Sequence, residues 1–328
     1  MMKAITVYQR DNEVPQLVWE EAEDVVCQAN EVLVDVKASA VNRADLMQAL
    51  GAYPPPPGAS HILGLEMAGV IAAVGENVTE WQIGDSVCAL LSGGGYAEQV
   101  AVPSDLLLPI PDGWSFAQAA AVPEVWYTAF VNLFMEGGLQ DGETVLIHAG
   151  ASGVGTAAIQ LAREAGATVI VTAGAEHKLE SCRQLGADLA INYKEQDFLA
   201  EVMAFTANKG VHLILDPVGA SYLDKNLQAL TRLGRLVHIG LLGGSKAELN
   251  LGLVLGKRLH LLGSTLRSRP TAEKIEITKQ FKSRFWPRLE DGTLQPIIDT
   301  TFPMSAAQEA HAYVREDRNT GKVILVIE

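Results

Sequence analysis

The chain has 328 residues, 39 acidic against 25 basic side chains and a net charge of −14. Its length is more than one core usually fills, so two domains are expected. Its acidity gives no basic excess with which to displace counterions from a nucleic-acid backbone, which excludes that partner class and would make any local basic pocket informative. No apolar run reaches membrane-spanning length and residues 1–7 lack the apolar core of a signal peptide, so a cytoplasmic protein is expected, with no membrane partner.

The first third reads as β-rich. Segments 4–8, 31–41, 67–74, 86–90 and 96–102 are short and rich in β-branched or alternating residues, with turn chemistry at Gly75-Glu76-Asn77 and Ile83-Gly84-Asp85. Close-spaced short strands predict a barrel-like β domain. A helix is expected over 116–121, interrupted by Pro123. Cys27, Cys88 and Cys182 have no zinc spacing and read as free thiols in a reducing compartment.

Beyond residue 123 the pattern alternates. Strands are expected at 144–149, 168–173, 189–192, 213–216, 236–239 and 259–264, with helices at 177–185, 222–230 and 251–255 between some of them. Six strands with crossover helices make a doubly wound Rossmann sheet. Residues 271–289 follow at helical spacing, and the apolar run 322–327 predicts a strand returning to the first domain. The expected division is 1–122 with 267–328 as the β-rich catalytic domain, and 123–266 as the dinucleotide domain inserted into it, with the active cleft between them.

The organising stretch is 144–155, Thr-Val-Leu-Ile-His-Ala-Gly-Ala-Ser-Gly-Val-Gly, followed by a good helix former from Thr156 onward. Strand, glycine turn and helix is the context of a dinucleotide fingerprint, in which backbone N–H groups and a helix start approach a pyrophosphate. Gly150 and Gly155 fit the register, whereas Ser152 stands at the second glycine; its hydroxyl can donate to phosphate, and Gly153 beside it restores room, with Val154 completing the turn. An NAD site carries an acid about 20 residues further on, but here the second strand ends in Ala173, Gly174 and Ala175, and Glu176 lies past its end. Lys178 and Tyr193 can hold a 2′-phosphate; alternatively Lys178 lies on a solvated helix face and Tyr193 packs. The missing acid favours NADPH.

With these residues placed, the chain resembles the medium-chain dehydrogenase/reductase superfamily from end to end. Within it the chain is similar to the zinc-free, zeta-crystallin-like quinone oxidoreductases. The resemblance rests on Ala40-Val41-Asn42-Arg43-Ala44-Asp45-Leu46, Gly64-Leu65-Glu66-Met67-Ala68-Gly69, residues 148–155 and Leu266-Arg267-Ser268-Arg269. The turn with Ser152 is similar to that of the tumour-suppressor-inducible subgroup acting on larger ortho-quinones. The resemblance implies a GroES-like β-barrel domain carrying a six-stranded Rossmann domain.

Zinc members have a ligand cysteine at the position of Asn42 and a ligand histidine at that of Leu65, and a four-cysteine lobe where this chain has only Ser92-Gly93-Gly94-Gly95-Tyr96. No metal is expected, and His61 reads as a turn histidine. Hydride addition to an isolated carbonyl builds a localised alkoxide that needs a Lewis acid or strong donor, whereas a quinone spreads the charge over its ring. The expected function is NADPH-dependent, zinc-independent quinone reduction, with positioning as the main catalytic effect. Reduction of enone or enal double bonds is the alternative, and a weakly active NADPH-binding protein of structural or regulatory role is a third reading.

Three residues are candidate catalytic groups. Asn42 hydrogen-bonds the nicotinamide ribose or a quinone oxygen, or merely caps a turn. Tyr53, in a loop stiffened by Pro54 to Pro57, walls the quinone slot and donates a proton, or merely packs. Thr128 matches a family threonine near the nicotinamide, or bonds backward within its helix. The resemblance adds Gly240, Leu241 and Leu242 after the fifth strand, and Leu266, Arg267 and Ser268 after the sixth, to the cofactor-binding set; Arg267 and Arg269 read otherwise as surface charges. Relatives pair the sixth strand across a two-fold axis, which implies a homodimer through the Rossmann sheet edge.

Overall fold

In the strand Glu31–Val41, Val32, Val34 and Val36 are buried while Glu31, Leu33 and Asp35 are partly exposed. Such period-two alternation belongs to a sheet with one wet face. In Thr144–Ile147, by contrast, Val145, Leu146 and Ile147 are all fully buried, the mark of a strand covered on both sides. These two kinds of strand belong to two different units of the chain, Met1–Tyr127 with Leu266–Glu328, and Thr128–Thr265.

The computed structural model describes residues 1–9 and 14–327. In chain order it runs β1 (Met2–Tyr8), β2 (Gln16–Ala22), β3 (Glu31–Val41), α1 (Arg43–Ala49), β4 (Glu66–Val74), β5 (Ser86–Leu90), β6 (Gln99–Pro103), β7 (Leu107–Pro109), α2 (Phe116–Ala120) and α3 (Pro123–Phe130). Then come β8 (Thr144–Ile147), α4 (Gly153–Glu164), β9 (Thr168–Ala173), α5 (Glu176–Gln184), β10 (Leu189–Asn192) and α6 (Phe198–Phe205). They are followed by β11 (Val211–Asp216), α7 (Leu223–Ala229), β12 (Leu230–His238), α8 (Leu251–Lys257) and β13 (His260–Gly263). The chain closes with α9 (Thr271–Glu290), β14 (Ile298–Pro303), α10 (Ala307–Arg315) and β15 (Lys322–Val326).

In the first unit, β14-β15-β3-β4-β5-β7 form one sheet, with β6 also paired to β3, and β1 pairs separately with β2. The apolar terminal strand β15 runs antiparallel to β3, placing Val323 opposite Val41 and Ile324 opposite Ala40. That pairing brings residue 322 to the end of β3, where α1 begins. Ile5, Leu46, Leu63, Tyr96, Ala310 and Leu325 share one core cluster, and Val34, Met67, Ile71 and Val102 another.

The second unit is a six-stranded parallel sheet ordered β10-β9-β8-β11-β12-β13. With β8 as the first strand, this is the order 3-2-1-4-5-6 of a doubly wound dinucleotide fold. Such a sheet collects ligands at the carboxyl ends of its central strands, here β8, β9 and β11. Its far edge differs from its centre: β13 is only partly buried, and α8 buries none of its residues, leaving Leu251 68% and Leu255 82% exposed.

Some expectations shift. Pro123 opens α3 rather than breaking a helix, because a first-turn residue has no use for its N–H. The strand expected from residue 96 starts at Gln99, and Tyr96 is fully buried beside it. The fifth strand of the second sheet begins six residues earlier than expected, at Leu230, and passes through Leu233 at φ 64. Strands β2 and β14 and helices α6 and α10 carried no signal that was read.

Candidate active site

The turn from β8 to α4 is defined by its backbone. Ala149 takes a left-handed φ of 53, unusual for a residue with a Cβ. Gly150 N–H then donates to Thr172 O on β9 at 2.9 Å, and Ser152 N–H to Ala149 O at 2.9 Å. Ser152 caps α4, its Oγ accepting Gly155 N–H at 3.0 Å, so the hydroxyl proton points away from the helix. A Cβ on Gly155 would sit 2.4 Å from both Ala149 O and Gly150 O, and one on Gly150 would sit 2.7 Å from Val171 Cβ. The two glycines are therefore required by helix-to-strand packing. Gly153 and Val154 form the first residues of α4, so the turn presents the start of a twelve-residue helix to the carboxyl end of the sheet.

β9 ends at Ala173, and the sequence has no acid after it until Glu176. Glu176, the nearest acid, is held by Arg183 Nη1 at 2.7 Å. Around Gly174 the structure instead gathers Tyr193, whose Oη would lie 2.8 Å from a Cβ there, and Lys194, whose Cε would lie 3.0 Å from it. Lys178 stands in the first turn of α5 and is partly exposed. The expected pair Lys178 and Tyr193 thus flank the same strand end. Lys194 joins them, a residue the sequence reading passed over although it adjoins Tyr193. Two ammonium groups and a phenol on this strand end are groups of the kind that bind a phosphate on the ribose.

The loop after β12 lies beside the turn after β11. Gly240 has room only for a hydrogen, since a Cβ would meet Pro217 O at 2.8 Å, and Leu242 N–H donates to that same oxygen at 3.1 Å. Leu241 and Leu242 are left 59% and 60% exposed, an apolar lip at the ligand end of the sheet. Beneath it runs a buried chain of polar groups that sequence reasoning missed. Asp216 accepts Val218 N–H at 2.6 Å and Gly219 N–H at 3.1 Å, and Asn226 Nδ2 donates to Asp216 Oδ2 at 3.1 Å. That leaves Asn226 Oδ1 to face His148 Nε2 at 2.8 Å, so Nε2 carries the proton and Nδ1 accepts from Thr172 Oγ1 at 3.0 Å. Burial holds the His148 ring below its usual pKa, in keeping with a neutral role. The network pins the ends of β8, β9 and β11 to one another.

In the first unit Asn42 follows β3 at the N-cap position of α1, where its N–H donates to Asp45 Oδ2 at 2.8 Å. Its amide, however, is locked on both sides. Nδ2 donates to Glu66 Oε1 at 2.8 Å, and Oδ1 accepts from Lys322 Nζ at 2.6 Å. Lys322 Nζ also meets Glu66 Oε1 at 2.8 Å, and Glu66 Oε2 accepts Glu124 N–H at 2.8 Å. Glu66 and Lys322 are 0% and 3% exposed. Neither has a role assigned from sequence; the available signal is a lysine opening one apolar strand and an acid opening another. The position where zinc relatives hold a ligand cysteine is thus an amide beside a buried ammonium, and Leu65 fills the other ligand position. These groups do not fit a cation, and among the described residues no three His, Cys, Asp or Glu side chains converge to hold one.

Tyr53 and Arg267, expected separately, meet. The Arg267 guanidinium stacks over the Tyr53 ring at 5.5 Å and donates to Ser92 O at 2.9 Å, Gln48 Oε1 at 2.7 Å and Tyr53 O at 3.3 Å. At 4% exposure Arg267 is no surface charge, which corrects that reading. Its donors tie Tyr53 to Gln48 of α1 and to Ser92. Burial raises the Tyr53 hydroxyl above its ordinary pKa, and the phenol keeps its proton at neutral pH. Leu266 is buried and Ser268 exposed beside Arg267, while Thr128 sits partly exposed on α3, its carbonyl accepting Asn132 Nδ2 at 2.7 Å.

Comparison with known proteins agrees with this geometry. Residues 28–112 match the alcohol dehydrogenase GroES-like domain family and residues 153–281 the zinc-binding dehydrogenase family. The chain is 31% identical over 333 residues to mouse quinone oxidoreductase, covering 100% of this chain and 98% of that protein. Among solved structures it is similar to Escherichia coli quinone oxidoreductase complexed with NADPH, with TM-score 0.88 and 28% identity over 99% of this chain and 100% of that one. It is also similar to the CurK enoyl reductase, with TM-score 0.87 and 30% identity over 100% and 99% of the two chains. The chain belongs to the medium-chain dehydrogenase/reductase superfamily, in its zinc-free quinone oxidoreductase branch. It is an oxidoreductase that uses a nicotinamide cofactor on a small molecule, and among its described residues no helix is long and apolar enough to cross a membrane.

Proposed function

We propose that the protein is an NADPH-dependent quinone reductase, acting on ortho-quinones in the cytoplasm. The observation that carries the reading is the locked Asn42 amide: with Lys322 and Glu66 on either side, the metal-ligand position of the zinc relatives offers only a hydrogen-bonding amide. An acceptor reduced there must spread its own incoming charge, as a quinone does. Gly150 to Gly155 would hold the cofactor's pyrophosphate and Lys178, Tyr193 and Lys194 its 2′-phosphate, and the cofactor would supply a hydride. We assign Asn42, Thr128, Gly240 to Leu242 and Leu266 to Ser268 to recognition of the cofactor. Tyr53 holds the proton that balances the hydride at the second quinone oxygen, its loop fixed by Arg267. The exposed β13 edge and the apolar α8 face support association of two chains through that edge.

The likeness to an enoyl reductase favours a second reading, reduction of a conjugated carbon–carbon double bond by the same hydride. Steady-state turnover of 9,10-phenanthrenequinone against that of an aliphatic enal decides between them. A higher kcat/KM for the quinone supports the proposal; a higher value for the enal replaces it. Tyr53→Phe is expected to lower kcat by about tenfold, or ~1.4 kcal/mol of barrier, with KM for the quinone little changed. An unchanged kcat removes Tyr53 from the chemistry.

A further inference from the structure

The first unit contains a cavity that borders Arg267 and Ser268 but whose other walls have no part in the proposed reduction. It has a volume of about 580 Å³ and opens between the 56–62 loop, the Leu90–Gly94 turn, β6 and the segment entering α9. That volume is within the range of small-molecule sites. Its walls are of two kinds. Ile62, Leu91 and Val100 are apolar, while Lys274 and Arg269 carry positive charge, in a chain whose net charge is −14.

Lys274 is the telling residue. It is 4% exposed, and its Nζ donates to Ser92 Oγ at 2.7 Å and to the main-chain oxygen of Arg267 at 2.6 Å. An ammonium has three N–H donors, so one remains. Both acceptors are neutral. Burial and the Arg267 guanidinium push this lysine down to about 8, and no carboxylate holds it up. Arg269 differs, since Glu273 lies 3.4 Å from its guanidinium. A buried cation held only by neutral oxygens in a cavity wall is stabilised by whatever anion enters.

We propose that this cavity binds a small amphiphilic acid, its anionic head against Lys274 Nζ and Ser92 Oγ and its apolar body along Ile62, Leu91 and Val100. The head is a carboxylate or a phosphate monoester; both accept from an ammonium and a hydroxyl. The lining lies wholly within the first unit, and acid binding there is tested with no nicotinamide cofactor present. Occupation restores charge to Lys274, so binding takes up a proton from solvent at alkaline pH.

Isothermal titration calorimetry of the full chain tests this, with octanoate, phenyl phosphate and neutral 1-octanol as probes, in two pH 8 buffers of different ionisation enthalpy. Saturable 1:1 binding of octanoate or phenyl phosphate is expected, whichever binds tighter naming the head group, with about half a proton taken up per ligand. Lys274→Met weakens it by at least about tenfold, and Lys274→Arg restores it. Absence of saturable binding by either acid up to about 10 mM overturns the proposal, as does equal binding of octanol or unaltered acid binding by Lys274→Met. If Lys274→Met does not fold, Ser60→Glu decides: Ser60 is exposed at the cavity wall, and a carboxylate there must repel the acid. Unweakened binding by that variant also overturns the assignment.

Discussion

The turn from β8 to α4 and the turn from β3 to α1 both join a strand to a helix, yet they are held differently. The first is held by backbone: Gly155 fits because hydrogen is the only substituent that clears Ala149 O and Gly150 O, and Ser152 caps the helix three residues away. The second is held by side chains from afar, since Asn42 is fixed by Glu66, 24 positions on, and Lys322, 280 positions on. A backbone-held turn tolerates change around it but not within it. A side-chain-held turn fails when any distant partner is removed.

The largest effect should follow from breaking the distant partner. Lys322→Met leaves the Glu66 carboxylate buried against Asn42 and Glu124 without its cation, and a loss of about 3–5 kcal/mol is expected in urea unfolding. Adding Glu66→Gln to it should recover part of that loss, because an uncharged amide needs no counter-charge. If the double variant is no more stable than the single one, the ion pair is not what holds Asn42.

The same contrast explains what was legible in the sequence. The six alternating segments and the glycine turn were readable because their causes are local: apolar runs for buried strands, a missing Cβ where a helix crosses a strand, a missing acid after Ala173. The network under Asn42 was not, although Glu66 lay inside a quoted motif. Nothing local tells that a lysine opening β15 will meet a residue ending β3; that follows only from the antiparallel pairing of Val323 with Val41. Arg267 was misread as a possible surface charge for the same reason, since its acceptors on Ser92, Gln48 and Tyr53 are 175 to 219 positions away. Lys194 is a different case: it adjoins Tyr193 but belongs to no motif, and its place at Gly174 follows only from the fold.

Within the backbone-held turn, Gly155→Ala should destabilise by about 1–2 kcal/mol despite alanine's better helix propensity, because its Cβ must displace two main-chain oxygens. NADPH binding, followed by quenching of protein fluorescence, should weaken more than stability alone requires. Retained affinity would show that the turn yields without losing its pyrophosphate geometry. Smaller still is the effect at the neighbouring strand end. Lys178→Ala and Lys194→Ala should each raise KM for NADPH by about tenfold, ~1.4 kcal/mol, and leave KM for NADH within about twofold. Equal effects on the two cofactors would remove the 2′-phosphate from this corner.

A pH profile also tests the side-chain-held turn. Asp45 and His311 are both buried and both meet Tyr96 Oη, at 3.4 Å from Asp45 Oδ2 and 3.1 Å from His311 Nε2. Burial pushes Asp45 up to about 6 and His311 down to about 3. For Asp45 the folded chain binds a proton that the unfolded chain releases near its ordinary value, so its contribution to stability falls as pH rises from about 4 to about 6. For His311 the unfolded chain binds the extra proton below about 6.5, so its contribution rises with pH from about 3 to about 6.5. Between pH 4 and 6 the two slopes oppose each other. Asp45→Asn removes the falling one, and stability measured by urea midpoints should then climb with pH by up to about 1 kcal/mol per unit. His311→Gln removes the rising one and should tilt the profile the other way. If both variants keep the wild-type profile, neither group changes its protonation on folding, and the cluster behind α1 is held by packing alone.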